Sequence, residues 1–94
     1  MPSILTIGSA TRDVFLFSKA FKVMPMPGQP NVLAECVTLG AKIDVDDLVL
    51  ATGGGATNAA ATFGRLGFAT SIMTRIGNDE PGEAVLKDLK ENDV

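Results

Sequence analysis

The run Thr52–Gly67, TGGGATNAAATFGRLG, holds the residues of this chain whose types and spacing could do chemistry. Gly53, Gly54 and Gly55 close the apolar stretch Leu48–Ala51, and a helix pattern of small residues opens directly after them. Glycine has no Cβ, so such a turn can take positive φ and approach a ligand or another segment closely. A helix start leaves four backbone N–H groups free, where the macrodipole favours oxygen-rich, electron-dense groups. Asn58 adds a donor and an acceptor at that mouth. The outline is a site for a polar small molecule. No Gly-Lys-Ser/Thr follows the glycines, so this is not a Walker A loop. Nor does Gly53-Gly54-Gly55 have the G-x-G-x-x-G spacing of a dinucleotide fingerprint.

Asp13 is the second candidate. It lies just beyond the carboxyl end of the apolar run Ser3–Ile7, where open α/β sheets bind their ligands. An ionised carboxylate accepts from two hydroxyls at once, a recognition that apolar contacts cannot supply. A loop Asp capping its own turn is the alternative reading, and position alone does not separate the two. Thr57 could cap the helix or touch a ligand, with capping preferred. Phe15 and Phe17 could shield a ligand from water, with core packing preferred.

These residues need elements to hold them. Ser3–Ile7, ending at Gly8, reads as a strand buried on both faces. Asp13–Phe17 is a second β-rich stretch, and Met24–Pro30 breaks it with three prolines. Leu33–Leu39 alternates, Leu39–Lys42 reads as a turn, and Ile43–Thr52 runs back as a strand. Two or three antiparallel strands between Asp13 and Thr52 would make a small sheet apart from the parallel core. From Ala56 to Leu66, Ala59, Phe63 and Leu66 recur on one helical face, and Gly67 sits where a left-handed C-terminal residue is wanted. Phe68–Ile76 predicts a strand parallel to Ser3–Ile7. Asp79 predicts an N-cap, with Pro81 and Glu83 in the first turn of a helix whose apolar stripe is Val85, Leu86 and Leu89.

Composition excludes several classes. Of the 94 residues, 46% are hydrophobic and 20% charged, with a mean hydropathy of +0.26. That is more apolar surface than a domain this small hides comfortably. No strand follows the last helix pattern, although an α/β crossover should return to one. The expectation is therefore the N-terminal piece of a larger chain; a complete small domain with an apolar oligomer interface is the alternative. A net charge of −3 without any Lys/Arg cluster argues against nucleic-acid binding. The single Cys36 cannot form an internal disulfide and suits a reducing cytoplasm. With no His and one Cys, a zinc site is close to excluded. No apolar run is long enough to span a membrane.

Taken together, the motifs resemble the PfkB (ribokinase-like) carbohydrate kinases. Ile4–Asp13 looks like that family's first strand, its Gly and its sugar-binding Asp. Gly53-Gly54, Asn58 and Leu66-Gly67 follow in the order of its first signature, and Ile76–Gly82 (IGNDEPG) matches the turn that closes it. The resemblance covers essentially all 94 residues. It implies an α/β fold, a ribokinase-like three-layer sandwich with a parallel core sheet, with residues 1–94 as its N-terminal portion and residues 14–51 as an antiparallel β-lid over the sugar. It implies transfer of the γ-phosphoryl group of ATP, with Mg, to a sugar hydroxyl. Asp13, Gly53, Gly54, Asn58 and Thr11 would then bind the acceptor. The family's catalytic Asp belongs to a Gly-x-Gly-Asp motif far downstream, which does not occur here. These residues should accordingly hold the acceptor, bind neither ATP nor Mg, and not catalyse alone. Gly55 stands where ribokinases usually carry Lys, and Thr11 where they commonly carry Asn. Both changes shorten the polar reach, leaving open another sugar, a sugar phosphate or a nucleoside in place of ribose. Lids in this family often form dimer interfaces, so a homodimer through the lid is expected. A non-catalytic association module and a small nucleotide-binding βαβ domain are the other readings.

Overall fold

A computed structural model describes residues 2–94. The elements run β1 (Ser3–Ile7), β2 (Thr11–Phe17), β3 (Lys22–Pro25), β4 (Leu33–Cys36), β5 (Asp47–Gly53), α1 (Gly55–Arg65), β6 (Ala69–Met73) and α2 (Glu80–Glu91). Two compact units result, one from the chain up to Val14 together with Leu50 onward, the other from Phe15 to Val49.

In the first unit β1 and β6 pair in parallel, from Ser3 opposite Ala69 to Ile7 opposite Met73. Parallel neighbours need a crossover, and α1 supplies it, packing on both strands. The expected pairing is therefore present. The buried line of α1 differs from the expected one: it is Ala56, Ala60 and Gly64 with Thr57 beside them, while Leu66 is 65% exposed. Small residues win because neighbours approach closely. The carbonyl of Asn92, just past α2, lies where a Cβ on Gly64 would have to go. Ala60 meets Val85 and Leu89 of α2 in the core, with Ala10, Ile72, Ile76 and Val94 around them. Leu86 is left outside, 57% exposed.

Both helix ends follow from local chemistry. Gly67, at φ +90°, donates to the Gly64 carbonyl (3.0 Å) and Phe68 N–H donates to that of Phe63 (3.1 Å). This left-handed stop brings the Phe63 and Phe68 rings edge to face at 5.9 Å, the apolar contact that accompanies it. Asp79 caps α2 by accepting from Gly82 N–H at 3.0 Å. Replacing it, Asp79→Ala, is expected to cost ~1 kcal/mol and to lower Tm by about 4–8 °C for a domain this size. Thermal unfolding followed by circular dichroism checks this, and an unchanged Tm would show that the cap contributes nothing.

The expectation of a β1 buried on both faces is met on one face only. Thr6 is buried beneath α1 and donates to the Ala56 carbonyl (3.0 Å). On the other face Leu5, Ile7 and Met73 are 54%, 70% and 60% exposed. Pleat alternation puts these three on one side, and α1 occupies the other.

In the second unit β3 and β4 form an antiparallel hairpin, Lys22 opposite Cys36 and Pro25 opposite Leu33. Strand pairing thus extends into the segment that its prolines marked as a break. Pro25 tolerates this at the strand's end, where a missing N–H costs little. Pro27 and Gly28 (φ +74°) make the tight turn, with Gln29 N–H donating to Met26 O at 3.2 Å. The turn at Leu39–Lys42 is present, with Gly40 at φ +76°. The second expected strand is shorter than its alternating run, because only Leu33–Cys36 finds a partner. The remaining pair is β2 with β5. Phe15 and Phe17 are about half exposed, which overturns the preference for core packing.

Candidate acceptor site at the β1–β2 turn

The turn after β1 reaches the start of α1 because Gly54 has no side chain. Gly54 sits at φ +104° against the carbonyl of Ser9 and the α-carbon of Ala10. Ser9 then caps the helix from outside it. Its hydroxyl oxygen accepts from Gly55 N–H (3.2 Å) and its carbonyl from Ala56 N–H (3.1 Å). This corrects the expectation of four free N–H groups: two are already engaged within the fold. Thr57 is not the cap either. Its hydroxyl, buried, donates back to the carbonyls of Gly53 and Gly54 (2.9 Å to the latter), which locks the glycine turn rather than completing the helix start.

Asp13 comes to the same place from β2. Its half-buried carboxylate lies against the α-carbon of Gly53, so closely that any Cβ there would overlap it. Thr11, two residues earlier and so on the same pleat face, donates its hydroxyl hydrogen to Asp13 Oδ1 at 3.0 Å. With that hydrogen engaged, Thr11 has only acceptor lone pairs for anything else. Asp13, Thr11, Gly53 and Gly54 are thus gathered, though about forty residues separate them in sequence. Asn58 follows on the exposed surface of α1, tied to the turn through its N–H to the Gly54 carbonyl (3.0 Å).

Arg12 is paired with Glu80. Pleat alternation sends it away from Thr11 and Asp13, and its guanidinium forks onto Glu80 at the head of α2. The contacts are Nη1 to Oε2 at 2.9 Å and Nη2 to Oε1 at 2.8 Å. That hydrogen-bonded pair raises the pKa of Arg12 above its usual value and lowers that of Glu80. Both stay charged at neutral pH, and the pair is lost only as pH falls through the lowered Glu80 value. Two shallow clefts flank Arg12. One, of about 160 Å³, lies toward Arg75 and Asp79; the other, of about 230 Å³, lies toward Thr52 and Lys87. Both are smaller than the ~300 Å³ at which small-molecule pockets usually begin, and neither is lined by Asp13, Gly53 or Asn58. Of the gathered residues Thr11 alone lines either cleft; Gly53 is buried and Asn58 exposed.

Sequence reasoning missed Ser9, Glu80 and Asn92. Arg12 and Glu80 carry a weak signal, opposite charges within two matched motifs. Asn92 carries none for its contact with α1: its Nδ2 donates locally to the Asp88 carbonyl (2.7 Å), but Arg65 Nε donates to its Oδ1 only once α1 and α2 have packed. Among the described residues no three Asp, Glu, Cys or His side chains gather as metal ligands, and no helix is long and apolar enough to cross a membrane.

Comparison with known proteins agrees with the motif order. The family model described as pfkB family carbohydrate kinase matches residues 1–94. No curated protein matches the chain in sequence. A match over the whole length, on top of a parallel β1–α1–β6 unit and the Gly53–Gly54 turn, means that this chain belongs to the pfkB family of carbohydrate kinases.

Proposed function

We propose that residues 1–94 hold the acceptor in an ATP-dependent kinase that transfers the γ-phosphoryl group to a hydroxyl of a sugar, sugar phosphate or nucleoside. One observation carries the reading: the Asp13 carboxylate is fixed over Gly53, with Thr11 ordering one oxygen. Asp13 Oδ2 is left to accept from an incoming hydroxyl, while Oδ1 keeps a further lone pair. Gly53 and Gly54 let the acceptor lie against backbone, and the exposed Asn58 amide offers both a donor and an acceptor at its edge. ATP and magnesium would supply the phosphoryl group and its charge neutralisation. On this reading the part of residues 1–94 is binding and orientation.

On this reading Phe15–Val49 is the β-lid, and its half-exposed Phe15, Leu16 and Phe17 would exclude water from a bound acceptor or pair with a second copy. The bare face of Leu5, Ile7 and Met73 supports a three-layer sandwich, since parallel sheets are ordinarily covered on both sides. A cytoplasmic location accords with a phosphoryl-transfer enzyme that has a single cysteine. The test is ADP release by the full-length kinase with ATP and Mg, using pentoses, hexoses, their phosphates and nucleosides as acceptors. Saturable turnover with one class is expected. Turnover with none of them would refute the reading.

A further inference from the structure

We propose that Arg12 and Glu80 form a positioning clamp that sets the aim of the Asp13 carboxylate. The inference rests on the acceptor-site reading above. β2 starts directly after the Ser9 turn, whose contacts to Gly55 and Ala56 hold its start, and its one sheet partner is β5 in a two-stranded ribbon. The twist of a two-stranded ribbon varies widely, so pairing with β5 alone leaves the rotation of these residues to be set. Thr11 and Asp13 share one pleat face and Arg12 occupies the other. Fixing Arg12 therefore fixes the rotation that carries Asp13 onto Gly53. A guanidinium fork suits this role, because two parallel hydrogen bonds define an orientation that a point charge cannot. The fork is complete, at 2.9 and 2.8 Å. Its arginine side chain is only 18% exposed, whereas the Glu80 side chain is 75% exposed. An anchor so open on its acidic side contributes little to stability. Geometry is what it can give. Glu80 is a firm anchor because it lies in the first turn of α2, directly after the capping Asp79.

The experiment compares Arg12→Met, Glu80→Gln and the double variant in the full-length kinase, with Asp13→Ala alongside. Two readouts are taken: the KM values for acceptor and for ATP, and the ¹³Cγ resonance of labelled Asp13. Each single variant is expected to raise the acceptor KM on the order of tenfold, leave the ATP KM and Tm nearly unchanged, and shift the Asp13 resonance. The double variant should be no worse than either single one, since both remove the same fork. An unmoved Asp13 resonance, or effects of the two single variants that multiply in the double, would overturn the clamp. Should Asp13→Ala leave acceptor kinetics intact while Arg12→Met still shifts the resonance, the clamp stands and the acceptor reading falls.

Discussion

Asp13→Ala in the full-length kinase should lower the acceptor's kcat/KM by about 30- to 1,000-fold, the equivalent of on the order of 2–4 kcal/mol. The carboxylate sits at the meeting of β2 with the Gly53 turn, and among the described residues only Thr11 donates to it. Its removal therefore costs the protein one exposed hydrogen bond but strips the acceptor of its anionic partner. Acceptor hydroxyls that leave water and find no acceptor atom lose the full desolvation term. The loss should fall on the acceptor, with the KM for ATP nearly unchanged. Asp13→Asn should fall between wild type and Asp13→Ala, because the amide keeps one accepting oxygen while its NH₂ meets Gly53 or the acceptor with the wrong polarity. Steady-state kinetics with acceptor and ATP varied separately make the measurement. An unchanged acceptor kcat/KM would place the recognition elsewhere. A collapse of both KM values with a lowered Tm would mean that Asp13 serves the fold.

What could be read from the sequence was what is decided within a few residues. The left-handed stop at Gly67 and the Asp79 cap depend on local chemistry, and both are present. The apolar run of β1 and the small-residue helix after Gly55 were enough to anticipate the parallel pairing across α1. The failures share one cause, which is close approach between segments distant in sequence. Hydrophobic periodicity marked Ala59, Phe63 and Leu66 for the core, but the partner backbone at Asn92 admits only Gly64 and its small neighbours. Counting free N–H groups at a helix start says nothing of an outside cap, and Ser9 is forty-six residues from Gly55. The Asp13–Gly53 contact was anticipated as a convergence of strand ends. Its tightness, which leaves no room for a Cβ on Gly53 unless the Asp13 carboxylate turns away, arises only once the strands have met. The Arg12–Glu80 fork spans sixty-eight residues, with no local pattern to announce it.

Of the three adjacent glycines, Gly54 and Gly55 should respond oppositely to one added methyl group. Gly54→Ala is expected to destabilise the first unit by on the order of 2–6 kcal/mol, from two sources. The residue sits at φ +104°, which L side chains rarely adopt and which costs on the order of 1–3 kcal/mol. Its new Cβ would also press into the Ser9 carbonyl and the Ala10 α-carbon. These are backbone atoms with no rotamer to turn away, and such overpacking adds about 1–3 kcal/mol. Relief would require the β1–β2 turn to lift off α1, breaking the Ser9 contacts to Gly55 and Ala56 and carrying Asp13 away from Gly53. Set against the ~5–15 kcal/mol that holds a typical domain folded, the loss is large. Gly55→Ala is the control. A Cβ there meets nothing within 4 Å, and the residue is the first of α1. Alanine should therefore gain up to ~1 kcal/mol from reduced unfolded-state entropy and helix propensity. Urea unfolding of the three proteins, with m-values compared, separates the outcomes. Equal effects at the two positions would mean that the turn does not hold the close contact with Ser9 on which the acceptor site depends.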